Sequence, residues 1–264
     1  MQQEPRIRND VPHIRERIVR VIVQFRNGST SVGTGFFIGD KGELLTCLHV
    51  ITRAEKRSSQ ISDIKGYLTN NIMNIQAQLP DGSLEAIDLQ KFDEDLDVAL
   101  LKIRREIETP FFSTTIDYYP EYDESTFFCG FQLTGGYTDP MQYPFSTNRA
   151  VVSAFSEVQV AGGKYTHIQL NSINLGGNSG APLFQEGGNV VIGIINGNMN
   201  WGGNNFAIVD NIVNNIASDT DGNNTVGLDN QNSTLNLSQR SIRVPLCIAY
   251  ATPITLIREK TDIL

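Results

Sequence analysis

The sequence predicts an all-β chain, with two clusters of short strands and a short helix at the C-terminal end. Three observations predict it. Apolar residues recur at every second position in short runs, as in Val19-Arg20-Val21-Ile22-Val23-Gln24-Phe25, the period of a half-buried strand. Turn signals separate the runs: Asn27-Gly28, Asp40-Lys41-Gly42, Pro80-Asp81-Gly82 and Glu186-Gly187-Gly188. No stretch sustains the helical period over several turns. Short strands punctuated in this way form a closed barrel or a sandwich.

The totals agree with a globular chain. Its 264 residues are 40% hydrophobic and 19% charged, enough for one large all-β unit or two small domains with a shared interface. The net charge of −8 and a pI near 4.9 argue against nucleic acid or an anionic membrane as partner. No run is long and apolar enough to span a bilayer. The opening Met1-Gln2-Gln3-Glu4-Pro5-Arg6 lacks the apolar core of a signal peptide. Cys47, Cys129 and Cys247 are odd in number and widely spaced, so neither a disulfide framework nor a metal-ligand spacing is visible. Reduced core thiols in a cytoplasmic setting are expected, with no cofactor and no metal.

Taken in order, residues 1–15 are a polar lead-in and Val19 to Phe25 is the first strand. Gly33 to Ile38 is a second apolar run. Glu43 to Cys47 returns from the Asp40-Lys41-Gly42 turn, and Leu48-His49-Val50 follows. Residues 53–71 read as a surface loop with room for a helical turn. Ile75, Ala77 and Leu79 alternate up to Pro80-Asp81-Gly82, and Leu84 to Leu89 runs back. The acidic Asp93-Glu94-Asp95-Leu96-Asp97 leads into the apolar Val98 to Ile103. After a connector with Pro110 and Pro120 the pattern resumes at Thr126 to Phe131, followed by a polar loop over 134–147. Ala150 to Val158, Tyr165 to Asn171, Ala181 to Phe184 and Val190 to Asn196 are further strands. Residues 198–242 are rich in Asn, Gly, Ser and Asp, with one apolar patch from Phe206 to Val213, and read as an inserted surface loop. Arg243 to Ala251 reads as one strand. Thr252-Pro253 then looks like the N-cap and first residue of a helix carrying Leu256 and Ile257.

The chemistry gathers at Gly176-Gly177-Asn178-Ser179-Gly180. Glycines let the backbone turn tightly and approach a substrate. A serine on such a turn can present its hydroxyl while neighbouring N–H groups converge on one point, as a developing oxyanion requires. Of three histidines, His13 lies in the charged lead-in and His167 in mid-strand. His49 follows a strand end and opens a short apolar turn, a firm mount for a general base. Asp93 and Asp95 read as solvated turn residues. Asp97 abuts the apolar run and suits holding an imidazole in one tautomer.

Gly33-Thr34-Gly35-Phe36, Leu45-Thr46-Cys47-Leu48-His49-Val50, Asp95-Leu96-Asp97-Val98-Ala99-Leu100-Leu101 and Gly177-Asn178-Ser179-Gly180 stand in the order His49, Asp97, Ser179. In these motifs the chain resembles the trypsin/chymotrypsin-fold serine proteases, closest to the bacterial HtrA/Deg-like branch. The resemblance spans roughly Val19 to Lys260, apart from the two irregular loops. It implies two six-stranded antiparallel β-barrels packed together, over residues 16–110 and 126–264, joined by a connector at 111–125. It implies Ser179 as nucleophile, His49 as base and Asp97 as its orienting carboxylate. Gly177, Asn178 and Ser179 would form the oxyanion hole. The specificity pocket would draw on Ile173 and Asn174 before the serine and on Ile195, Asn196, Gly197 and Asn198 after it.

Departures from the family pattern are informative. Secreted trypsins have Asp before the serine, which pairs with a freed N-terminus; Asn178 stands here, so that activation switch is not expected. Ala181 replaces a second glycine. HtrA enzymes continue into a peptide-binding PDZ module, which is not expected here. No acidic residue lines the expected pocket, which implies an uncharged residue before the scissile bond. The expected partner is a protein or peptide substrate, with one dedicated target as the narrower expectation. An inert binding module with the same fold is the alternative. An α/β-hydrolase esterase would need the order Ser, Asp, His and a glycine at position 181.

Overall fold

The computed structural model describes residues 11–52, 64–132, 142–160, 162–187, 190–197, 206–208, 243–245 and 248–264. The chain divides into a main unit, 1–199 with 248–264, and a second unit, 200–247. In the second unit β12 (Phe206–Ile208) pairs antiparallel with β13 (Arg243–Pro245). The rest of the inserted segment, including Asn198, lies outside the described residues.

The main unit holds two closed six-stranded antiparallel barrels. In the first, β1 (Ile18–Phe25), β2 (Thr30–Phe37), β3 (Glu43–Cys47), β4 (Ile72–Gln78), β5 (Leu84–Asp93) and β6 (Val98–Ile103) close in the order β1-β2-β3-β6-β5-β4. In the second, β7 (Ser125–Phe131), β8 (Phe145–Val160), β9 (Gly163–Leu170), β10 (Pro182–Gln185), β11 (Val191–Gly197) and β14 (Ala249–Pro253) close as β10-β11-β14-β9-β8-β7. Closure leaves no free sheet edge. Short helices are α1 (Val11–Arg15), α2 (Leu48–Thr52), α3 (Ile64–Asn71) and the C-terminal α4 (Ile254–Lys260). Among the described residues no helix is long and apolar enough to cross a membrane.

The expected turn at Pro80-Asp81-Gly82 is present. Gly82 sits at φ +89°, and the Asp81 carboxylate accepts a hydrogen bond from the Ser83 N–H at 2.9 Å. One aromatic column joins the barrels. Phe112 of the connector meets Phe36 of the first barrel at 6.2 Å and Phe184 of the second at 5.1 Å, both edge-on. Phe184 in turn stacks on Phe127 at 4.9 Å. Burying a phenylalanine of this kind is worth about 1.5–3 kcal/mol, so the connector is part of the core.

Four local readings differ from the structure. The alternation in β1 predicts one exposed face, yet Arg20 and Ile22 are buried too. That face meets the second barrel, where the Arg20 guanidinium bonds the Tyr143 carbonyl and lies 4.5 Å over the Phe131 ring. The expected loop over 53–71 ends in the eight-residue α3. Arg243 to Ala251 is not one strand; β13 and β14 belong to different sheets. Thr252 does not cap α4, because Pro253 occupies that position with no side-chain cap. The Thr252 hydroxyl has partners elsewhere, described next.

Candidate active site

His49 sits on α2, the single helical turn after β3. Three hydrogen bonds tie this corner to Asp97. The Leu48 N–H donates to the Asp97 carbonyl at 3.1 Å, the His49 N–H donates to Oδ1 at 2.9 Å, and Nδ1 of the ring meets Oδ2 at 2.6 Å. With Asp97 ionised, the Nδ1–H is the donor, which leaves Nε2 with the lone pair a base needs. The two side chains are only 15% and 16% exposed.

Asp97 stands at φ +55°, a left-handed conformation that aspartate tolerates better than most residues. The cost of about 1 kcal/mol is offset by its bonds and by a grip from the second barrel. Asn196 and Thr252, both buried, reach the carbonyl of Leu96: Asn196 Nδ2 at 3.4 Å and Thr252 Oγ1 at 3.3 Å. Oδ1 of Asn196 accepts from the Thr252 N–H at 2.9 Å, which fixes the amide. The neighbouring acids have other roles. Asp93 accepts from the Leu96 N–H at 2.8 Å within its own turn, and Asp95 reaches the second barrel, where it accepts from the Gly162 N–H at 2.7 Å.

Ser179 lies on the turn before β10, between Gly177 at φ +93° and Gly180 at φ +86°. Thr34 of the first barrel, fully buried, clamps this turn. Its N–H donates to the Ser179 carbonyl at 2.8 Å and its hydroxyl donates to the Gly177 carbonyl at 2.7 Å. The same hydroxyl accepts from the Phe131 N–H at 3.0 Å, and the Thr34 carbonyl accepts from the Thr46 hydroxyl at 2.7 Å. From the other side the Gly180 N–H donates to Ile195 at 2.7 Å.

Gly33 marks how tightly the parts converge. A Cβ there would lie within 3.0 Å of both the Val50 methyls, next to His49, and the Ser179 carbonyl oxygen. The base-bearing helix and the serine turn thus face each other across one glycine. The remaining histidines have other settings: His13 is exposed on α1, and His167 is buried on β9 opposite Ser156.

The Asn178 N–H is turned inward, donating to Leu175 at 3.3 Å. Among the described residues, the N–H groups of Gly177 and Ser179 donate to no backbone carbonyl. Asn178 is fully buried, and neither atom of its side-chain amide has a partner among the described residues. Of the expected pocket residues, Ile173 is 44% exposed and Asn174 buried. Ile195 is fully buried with its carbonyl facing the serine turn, and Gly197 ends β11. A hollow of about 580 Å³ lined by Asp40, Lys41, Glu108, Thr109 and Pro110 contains none of the candidate residues.

Residues 33–194 match the model of the trypsin-like peptidase domain. The chain belongs to the trypsin-like peptidase family. The fold of this trypsin-like peptidase is shared with an HtrA-type protease, AlgW, solved with a tripeptide. The TM-score is 0.59 and the identity 17%, over 95% of this chain and 60% of that one. The peptidase thus spans 60% of the length of that solved chain. No curated protein matches it. Sequence reasoning overlooked Thr34, Asn196 and Thr252 as supports. The signal for Thr34 was a polar residue between two glycines inside an apolar strand.

Proposed function

We propose that this trypsin-like peptidase is an endopeptidase working by acyl transfer, with His49, Asp97 and Ser179 as its triad. The observation that supports it most is the 2.6 Å bond between His49 Nδ1 and Asp97 Oδ2, on a corner that shares one glycine with the serine turn. Ser179 Oγ attacks the scissile carbonyl as His49 Nε2 takes its proton. The imidazolium, steadied by Asp97, then protonates the leaving amine. Water repeats the sequence on the acyl-enzyme. The N–H groups of Gly177 and Ser179 bind the oxyanion in each step. A fluorophosphonate probe is expected to form a covalent adduct with the wild-type chain and none with Ser179→Ala. Equal labelling of both would remove Ser179 as the nucleophile, and labelling of neither would make the chain an inert binding module.

The specificity proposal rests on charge. Ile173, Asn174, Ile195, Asn196, Gly197 and Asn198 include no acid, so a lysine or arginine before the scissile bond would find no counter-charge. A peptide library should be cleaved after small or medium uncharged residues; a profile dominated by arginine would overturn this. A cytoplasmic site of action, on one dedicated protein target, completes the proposal. It draws on the reduced, buried thiols of Cys47 and Cys129.

A further inference from the structure

Cys47 stands two residues before His49, at the end of β3, with its side chain fully buried. Its Sγ lies 3.2 Å from the Ile195 carbonyl oxygen, to which the S–H donates. Register brings it to Asp97, because Cys47 pairs with Val98 across the β3–β6 ladder. One ligand atom each from Cys47, His49 and Asp97 lie within 4.8 Å of one another. A sulfur, an imidazole nitrogen and a carboxylate oxygen therefore converge behind the candidate base.

We propose that Cys47, His49 and Asp97 form an inhibitory site for a thiophilic divalent cation such as Zn²⁺ or Cd²⁺. A tetrahedral cation with bonds of about 2.0–2.3 Å holds its ligands roughly 3.3–3.8 Å apart. Two adjustments reach that geometry: the sulfur closes by about 1 Å, and the short His49–Asp97 bond opens by a similar amount. Charge also fits. A divalent cation with one thiolate, one carboxylate and a neutral imidazole is neutral overall, which limits the cost of a low-dielectric site. The soft sulfur selects Zn²⁺ or Cd²⁺ over Ca²⁺ and Mg²⁺, which require an oxygen shell. With three protein ligands, a water completes the fourth position.

Binding removes the base in either arrangement. Should Nδ1 bind the metal, the ring proton moves to Nε2, which can no longer accept one from Ser179. Should Nε2 bind, its lone pair is occupied directly. The Cys47 thiol proton passes to solvent, and nothing is oxidised or reduced. The inhibitory consequence rests on the proposed role of His49; the binding itself does not. Cys129 is a poor competitor, since burial pushes its thiol up to about 11.

The test uses the full chain and CdCl₂ in chelator-free buffer. A thiolate-to-cadmium charge-transfer band should appear in wild-type protein and in Cys129→Ser/Cys247→Ser, and be lost in Cys47→Ala. His49→Ala, a partly exposed position, should weaken cadmium binding by about tenfold or more. This second variant keeps the proposal open to refutation if Cys47→Ala misfolds. Zn²⁺ and Cd²⁺ should suppress fluorophosphonate labelling of wild type, with recovery on adding EDTA, while Cys47→Ala stays labelled. Ca²⁺ and Mg²⁺ should have no effect. A band that persists in Cys47→Ala, or no band in wild type, overturns the site. A Cys47-dependent band with unchanged labelling overturns the inhibition. Absence of labelling in metal-free wild type would fail the protease reading alone, and the cadmium band would still decide the site.

Discussion

Replacing Ser179 by alanine is expected to lower kcat/KM on a cleaved peptide by about 10⁴- to 10⁶-fold, and His49→Ala by a similar factor. The reason is that the two side chains act as one device. Without the hydroxyl there is no acyl-enzyme to form, and without the imidazole the hydroxyl keeps its proton. The double variant should therefore be no worse than either single one. Asp97→Asn provides a finer test, with an expected loss of about 10⁴-fold. Asparagine also tolerates the left-handed backbone that Asp97 adopts, and its side-chain oxygen can still accept from the His49 N–H. Its NH₂ would then face Nδ1 and force the proton onto Nε2, the wrong nitrogen for a base. Thermal melting should stay near wild type for all three variants, because none opens a core cavity. Losses that multiply in the double variant would show His49 and Ser179 acting separately. A Ser179→Ala protein with wild-type turnover would remove the serine from the chemistry.

The barrels were legible because strands and turns are local. Alternation in Ile75, Ala77 and Leu79, the Pro80-Asp81-Gly82 turn and the apolar run from Val98 each decide their own stretch of backbone. Features that depend on the second barrel were less so. β1 looked half-exposed because nothing in its own letters says that Arg20 will meet Tyr143 and Phe131 more than a hundred positions later. Thr252 looked like a helix cap because threonine before proline usually is one. Its hydroxyl instead grips Leu96 beside the left-handed Asp97, across 156 positions of sequence. Likewise, the place of Asn196 after the serine motif points to the pocket wall, and nothing local shows that its amide bonds Leu96 and Thr252. The chemical residues announced themselves by type and order. Their supports are ordinary Thr and Asn residues whose role exists only once two sheets have closed and met.

The largest structural penalty should come from Gly180→Ala. Two effects add at this position. Gly180 is at φ +86°, where a Cβ strains the backbone by about 1–2 kcal/mol. The added methyl would also collide with the Thr34 carbonyl oxygen, a backbone atom that cannot swing away, and press on the Thr46 hydroxyl. Gly82→Ala separates the two. Gly82 has the same sign of φ, +89°, but a Cβ there meets nothing within 4 Å. It should cost only the backbone strain, on the order of 1 kcal/mol. Gly180→Ala should cost about 4 kcal/mol or more, which for a chain of this size is a fall in Tm of roughly 10 °C. Activity should fall with it even well below the melting point, since relief of the clash moves β2 away from the serine turn and breaks the Thr34 clamp on Gly177 and Ser179. The comparison is made by melting both variants and measuring their fluorophosphonate labelling rates at a temperature where each is folded. If Gly180→Ala melts alongside Gly82→Ala and labels at the wild-type rate, the close approach of the two barrels at Thr34 is not what holds the serine in place.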